Sequence, residues 1–353
     1  GNIIEKYIPD DNDPNSISGA TIRDIFQDSE GNLWIATYQN GMNEYNYESN
    51  GFTVFNYNSD TQRGLQSNTF LSMYEDREGN VWFGSSDGAY FFNRKVSAFH
   101  HYHSIENQDH GLSNDDIWET YKDKSKNIIW VGTSEGGLNK FDPETETFTV
   151  FKHDENNPNS LASNTVYSVY HDSRDNYWIG TSQGLDLFDP KTGTFKHYKK
   201  GGDPNSLNNN IIGCIYEDSR RNLWVGTNRG LHKFDYQIKN LKVFHNNDNK
   251  QINLGNKTIY TIFEDSDDML WIGTSGNGLY RYDRNTNSIV NYIHHQEDTT
   301  SISSNIIVTI LEDSFGNLWI GTAKGLNKYI RDKNEFKTFY ETDGLADDMI
   351  YGL

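Results

Sequence analysis

Asp313-Ser-Phe-Gly-Asn-Leu-Trp-Ile-Gly-Thr322 is a clear copy of a pattern, Asp-x-x-(Gly/Asn)-Asn-x-Trp-(Ile/Val)-Gly-Thr, that returns seven times along the chain in this form or a near variant. Its tryptophans are Trp34, Trp82, Trp130, Trp178, Trp224, Trp271 and Trp319, at intervals of 48, 48, 48, 46, 47 and 48 residues. A repeat of roughly 40 to 50 residues has the length of a four-stranded propeller blade. The 353 residues, which by length alone would divide into two or three domains, therefore read as one ring.

The fourth repeat shows how such a blade is written. Asn164-Thr-Val-Tyr-Ser-Val-Tyr-His171 alternates and is rich in β-branched and aromatic side chains, which predicts a strand. Asp172-Ser-Arg-Asp-Asn176 is a turn, because Asp accepts hydrogen bonds from the backbone just ahead of it and Asn tolerates the left-handed conformation. Tyr177-Trp-Ile-Gly-Thr181, Leu185-Asp-Leu-Phe188 and Thr194-Phe-Lys-His-Tyr198 follow as strands, separated by Ser182-Gln-Gly184 and Asp189-Pro-Lys-Thr-Gly193. Four short antiparallel strands joined by tight turns, seven times over, make an all-β, seven-bladed propeller of four-stranded antiparallel blades. The aspartates ahead of each tryptophan (Asp28, Asp76, Asp123, Asp172, Asp218, Asp265 and Asp313) recur in every repeat and are assigned to turns, since seven separate turns cannot converge on one metal or substrate. The glycine after the aliphatic residue (Gly180, Gly226, Gly273, Gly321) is expected to allow close backbone approach between blades, with Ala36 as its small departure.

One domain over 1–353 is expected, with 1–19 and 344–353 as overhanging strands or closure segments. Residues 2–8 resemble a fourth strand without its blade, and 349–353 a first strand without its blade. The first of these either completes the last blade or belongs to a longer array. A closed ring is the preferred reading, because closure removes sheet edges. The irregular stretch from Ser86 to Val96, with the long connection to Asp115, is the place where two rings would meet if there were two.

The formal charge of −19, from 50 acidic and 31 basic residues, repels phosphate backbones and anionic lipid. Nucleic acid and direct membrane contact are therefore excluded as partners, and a neutral or cationic ligand is the easier one to accept. A single cysteine, Cys214, allows neither an internal disulfide nor a cysteine zinc site, and its inner-strand position makes it a small core residue. The sequence has no apolar run long enough to cross a bilayer and no signal peptide, although Gly1 leads at once into the middle of a repeat, as in a piece of a longer protein.

Asp313 to Tyr329 (Asp-Ser-x-Gly-Asn-Leu-Trp-Ile-Gly-Thr-x-x-Gly-Leu-Asn-Lys-Tyr) resembles the two-component regulator propeller repeat. Glu217 and Glu312 just before the aspartate, Asp142-Pro143 and Asp189-Pro190 after the third strand, and the connections Asp13-Pro-Asn-Ser-Ile17, Asn157-Pro-Asn-Ser-Leu161 and Asp203-Pro-Asn-Ser-Leu207 extend the likeness. The resemblance implies a ligand-sensing domain outside the cytoplasmic membrane, in a bacterial sensor that detects glycan breakdown products and signals to an intracellular output domain. It implies no particular ligand, because the shared residues are the structural ones.

Catalytic machinery is not expected. The chain has no Gly-x-Ser-x-Gly elbow, no phosphate-binding glycine loop and no His-Glu-x-x-His helix. The enzymatic Asp-box spacing is also missing, with Ser29 five residues before Trp34 and the aspartate at Asp28. His100-His-Tyr-His103 would put His101 and His103 on one strand face, but on an outer strand where solvation accounts for them, so no metal site and no cofactor are assigned.

Binding residues should lie where the repeats disagree. One column of the first strand varies freely: Arg23, Leu71, Trp118, Tyr167, Gly213, Tyr260 and Val308. Trp118 is the one tryptophan outside the motif. Tyr38, Glu135, Arg229, Asn277 and Lys324 fall in the connections between second and third strands, at the same channel mouth. Aromatic faces pack on sugar rings and guanidinium groups donate paired hydrogen bonds, so Trp118, Tyr167, Tyr260, Arg23, Tyr38, Arg229 and Lys324 form the candidate site for an oligosaccharide or similar polar ligand. The competing account packs the aromatic residues between blades and leaves the polar ones to solvent. At the level of function, the alternatives are a polysaccharide lyase or hydrolase, and a protein-binding or dimerising scaffold, with neighbouring domains of the same sensor as further partners.

Overall fold

The structure is a computed structural model that describes residues 6–10, 12–47, 49–56, 65, 67–76, 79–86, 88–93, 98–104, 111–123, 126–203, 205–244, 254–343, 345 and 348–350, with 93 and 98–101 by backbone alone. It is a seven-bladed β-propeller. Each blade is one four-stranded sheet whose strands pair antiparallel in chain order, over residues 22–55, 70–102, 117–151, 166–198, 212–243, 259–292 and 307–339. The first strands of successive blades pack side by side from blade 1 to blade 7 and so line the axis. The fourth blade runs Val166–His171, Tyr177–Thr181, Gly184–Asp189 and Thr194–Tyr198. Gly184, taken from sequence as turn, is the first residue of its strand and pairs with Thr181.

The motif folds as it does because its aspartate answers several donors at once. In six blades one carboxylate oxygen accepts the indole N–H of the motif tryptophan at 2.7 to 2.9 Å. In most, the other oxygen accepts backbone N–H groups two and four residues on, as Asp172 does from Arg174 and Asn176. Burial pushes the Asp313 carboxyl up, but the hydrogen bonds from Trp319 and Asn317 outweigh it and bring it down to about 2. Blade 3 has one residue more between Asp123 and Trp130. There the indole nitrogen of Trp130 is buried without a partner among the described residues, and Asp123 accepts the Tyr177 hydroxyl of the next blade and lies 3.3 Å from His171 Nδ1.

Blades are joined through the same turns. The serine after the motif aspartate donates its backbone N–H and hydroxyl to the glutamate that ends the next blade's first strand: Ser29 to Glu75, Ser173 to Glu217, Ser219 to Glu264 and Ser266 to Glu312. Aromatic residues of one outer strand then pack on the next blade, as Tyr198 does on Phe234 and Tyr292 on Tyr329. The motif glycine makes room for a branched side chain and not only for backbone. A Cβ on Gly226 would lie 2.8 Å from Ile259 Cγ2 of the following blade, and one on Gly273 2.8 Å from Ile307 Cγ2.

The two ends of the chain repeat these contacts. Tyr7 packs on Tyr45 and Phe52 of blade 1 as Tyr292 packs on Tyr329 and Phe336 of blade 7. Ile350 sits against Gly321 as Ile307 does against Gly273, and its N–H donates to Thr322 O at 3.0 Å. Lys6 donates to the Glu341 carbonyl at 3.1 Å. The last blade is built of its own four strands; of residues 2–8, read as completing it or as belonging to a longer array, 6–8 form no strand, and 2–5, like 351–353, lie outside the described residues. The stretch from Ser86 to Val96 holds the third strand of blade 2, Gly88–Asn93; Asp87 and 94–96 lie outside the described residues.

Candidate ligand-binding site at the channel mouth

Every first strand breaks register at one residue near its start. The ladder steps from Ile22 to Asp24, Phe70 to Ser72, Ile117 to Glu119, Val166 to Ser168, Ile212 to Cys214, Ile259 to Thr261 and Ile307 to Thr309. The residue skipped is in each case the one that varies: Arg23, Leu71, Trp118, Tyr167, Gly213, Tyr260 and Val308. A β-bulge leaves its extra residue unpaired and re-aims the side chain. The free column is therefore a ring of bulge residues along the axis.

The bulges lie at the same end as the connections between second and third strands. Each of those loops donates a backbone N–H to the residue just before a first strand, for example Tyr38 to Thr21 O, Ser134 to Asp116 O, Asn228 to Ile211 O and Ala323 to Ile306 O. Tyr38, Glu135, Arg229 and Lys324 are exposed there, and Asn277 is half-buried.

Two subsets of the candidate residues meet. Trp118 and Tyr167 stand edge to face with ring centroids 5.4 Å apart, and Trp118 is 55% exposed, so this pair offers an open aromatic face. The Arg23 guanidinium lies 4.7 Å from the Tyr38 ring centroid. Tyr260 is 46% exposed and stands apart from both pairs, with Arg229 and Lys324 on neighbouring blades. Trp118 of blade 3 and Tyr167 of blade 4 thus touch across a blade boundary while Trp118 stays open to solvent.

Sequence reading missed two carboxyls beside this column. Asp24 follows the bulge in blade 1 and accepts the Met73 N–H at 2.6 Å. Burial pushes it up to about 7, against the lowering effect of that bond. Glu119 follows Trp118, is half-buried, and is pushed by burial up to about 8. The signal was present: in the other blades this position is Ser72, Ser168, Cys214, Thr261 or Thr309. Cys214 is half-buried beside the core of blades 5 and 6, and burial pushes its thiol up to about 12, so it is an unreactive packing residue. His103 Nδ1 lies 2.9 Å from the Ser104 carbonyl, and the side chains of His100 and His101 lie outside the described residues.

The two component regulator propeller model matches six stretches of the chain, 16–39, 64–87, 160–183, 206–229, 253–276 and 301–324. The motif around Trp130, with its extra residue, falls outside them. Among curated proteins, the chain is 30% identical over 159 residues to a protein named Histidine kinase P4 from Formosa agariphila, covering 44% of this chain and 11% of the relative. Among solved structures, it is similar to PorZ, a surface component of the type-IX secretion system of Porphyromonas gingivalis, at 16% identity and a TM-score of 0.63, over 93% of this chain and 47% of that one. It is also similar to the extracellular domain of the B. thetaiotaomicron hybrid two component system BT3049, at 19% identity and a TM-score of 0.45, over 98% of this chain and 61% of that one. The chain thus spans about a ninth of the curated relative and less than two thirds of these structures. The spacing and the indole clamp agree with these matches: six stretches of the chain are two component regulator propeller repeats.

Proposed function

We propose that this chain is the ligand-sensing propeller of a bacterial membrane signalling protein, placed outside the cytoplasmic membrane, and that its channel mouth binds an oligosaccharide or similar polar ligand without turning it over. The observation that carries this reading is the bulge column. The repeats agree through the motif where blades pack and differ most freely at the inner-strand residue that a bulge frees. A surface with no partner has no need of an open tryptophan edge to face with a tyrosine. The family of the repeats and the histidine kinase named among the relatives favour a sensor that passes its signal to an output domain. Signalling then requires the ligand to favour one arrangement of the propeller and its neighbours over another.

The test is a thermal-shift screen against neutral and acidic oligosaccharides. A ligand at about 100 times its dissociation constant adds about 2.7 kcal/mol of stability. A selective upward shift in melting temperature is expected, abolished by Trp118→Ala in a protein that still folds. The site assignment is wrong if the variant responds like the parent chain. The sensor reading is wrong if the sugars are cleaved, which new reducing ends or unsaturated products would reveal.

A further inference from the structure

The turns between first and second strands, and between third and fourth, lie at the end opposite the mouth. In blades 4 and 5 they enclose a cleft of about 460 Å³ lined by Arg174, Arg220, Arg221, Lys233 and Lys242, with Asp235 as the one carboxylate among its lining residues. Five of the chain's 31 basic side chains thus meet in one place on a protein of net charge −19. The corresponding cleft of blades 2 and 3, about 280 Å³, is lined by Asp76, Glu144 and Glu146 and by no lysine or arginine among its described residues. The fold itself therefore does not demand the positive charge.

Three of the five cations are engaged. Arg174 donates to Glu217 Oε1 at 3.1 Å and to the Arg221 carbonyl at 2.9 Å, and its guanidinium covers the Tyr236 ring. Arg220 donates to Asn285 Oδ1 at 2.5 Å and lies 3.8 Å from Asp268. Lys242 pairs with Asp235 at 2.6 Å. Arg221 and Lys233 are left. Neither side chain makes a hydrogen bond or an ion pair among the described residues. The Lys233 ammonium lies 5.6 Å from the Trp224 ring centroid, and burial lowers its pKa from the ordinary lysine value.

Arg221 carries a second, independent mark. Its φ is +60°, in the left-handed region, at a turn position held by Gly31, Gly79 and Gly316 in three other blades and by Asp175 and Asp268, also left-handed, in two more, so blade 5 alone puts a cation there. A side chain there is strained where glycine is not. Blade 5 keeps an arginine in that conformation, with the guanidinium uncommitted at the lip of a cationic cleft.

We propose that this cleft is a binding site for an oxyanion, free or carried on a sugar as a sulfate or carboxylate group, with Arg221 and Lys233 as its donors. A guanidinium offers paired N–H groups to two oxygens of one anion, and a half-buried ammonium regains the partner it lost with water. Repulsion from the acidic surface is screened beyond about 10 Å at 0.1 M salt; nearer in, Glu217, Asp268 and Asp235 offset Arg174, Arg220 and Lys242, Asp218 and Asp235 attract Lys233 from a distance, and Arg221 is the cation without a paired carboxylate among the described residues. The site is separate from the channel mouth and does not depend on the reading given to it.

Calorimetric titration of the chain with sodium sulfate, at ionic strength held constant with chloride, tests this. Saturable binding is expected, weakened about tenfold or more by Arg221→Gly, and likewise by Lys233→Met, which keeps the alkyl stem over Trp224. Arg221→Gly installs the residue that three sister turns already carry, so its fold should survive, and circular dichroism with a melting curve checks that. Trp118→Ala should bind sulfate as the parent chain does. Heats that do not saturate, full binding by both cleft variants, or loss in Trp118→Ala would overturn the proposal. A sulfated monosaccharide in place of sulfate identifies the carrier: tighter binding that still needs Arg221 assigns a sugar-borne group, and no gain assigns the free ion.

Discussion

Trp130 and Trp178 are equally buried and hold the same place in neighbouring blades, yet among the described residues only Trp178 has a partner for its indole nitrogen. Trp178 donates to Asp172 at 2.8 Å, whereas the extra residue in blade 3 carries Asp123 away from Trp130. The two sites therefore separate the contribution of the clamp from that of ring burial. Trp178→Phe removes a charge-assisted bond as well as part of a ring, and Trp130→Phe removes only the latter. Urea unfolding should show Trp178→Phe to be the more destabilising by about 1 to 3 kcal/mol. Equal losses would mean that the aspartate serves the turn alone. The turn-forming role of these aspartates was legible in the sequence, because Asp followed by Gly or Asn is a local signal. Their grip on the indole was not, because a donor six residues away comes within reach only once a hairpin has folded.

At the scale of the strand, the third strand of blades 1, 3, 4, 5 and 7 carries a residue that ties down the connection leading into that blade. Asn43, Asn139 and Asn327 accept the N–H of Ser18, Ser113 and Ser303 and donate to the hydroxyl of the same serine. In blade 4 the residue is Asp186, which accepts the Ala162 N–H at 2.7 Å and lies 2.6 Å from His197 Nδ1. Its hydrogen bond to Asp186 raises the His197 pKa, more than burial lowers it. Burial raises the Asp186 pKa against the hydrogen bonds from His197 and Ala162. Both folded values lie above the unfolded ones, so the stability tied to these protons is present at low pH and lost as pH rises through the folded values. For His197 that loss falls above the ordinary histidine value of 6.5. Asp186→Asn installs the residue of blades 1, 3 and 7 and removes a buried carboxylate. It should stabilise the protein by about 1 kcal/mol at pH 8 and by less at pH 6, read from urea midpoints at the two values. A larger gain at pH 6 would reverse the assignment. The strands themselves were readable because each alternates between two neighbouring blades. The bulges were not, because one inserted residue shifts which side chains share a face without altering composition. The variable column was visible as a column, while Asp24 and Glu119 beside it passed as ordinary acids in a chain that has 50.

For the whole molecule, the charge of −19 sets how stability answers to salt. Folding gathers these charges into a compact ring, and unfolding lets them move apart, so self-repulsion weighs against the native state. Several of the attractive pairs that would oppose this trend are sheltered in and between blades 5, 6 and 7. Arg284, whose side chain is 5% exposed, pairs with Asp218 at 2.8 Å and with Glu264, and Arg331 pairs with Asp265 at 2.9 Å and Glu312 at 2.5 Å. Salt screens pairs of this kind much less than it screens exposed charges separated by open water. Raising sodium chloride from about 0.01 to about 0.1 M shortens the screening length from about 30 to about 10 Å, which removes long-range repulsion and leaves the sheltered pairs nearly intact. The melting temperature should therefore rise over that range and level off above it. The rise should shrink near the isoelectric point of about 4.9, where the net charge vanishes. A melting temperature that falls with chloride at pH 7 would mean that the inter-blade pairs, and not the surplus of carboxylates, govern the electrostatics of the ring.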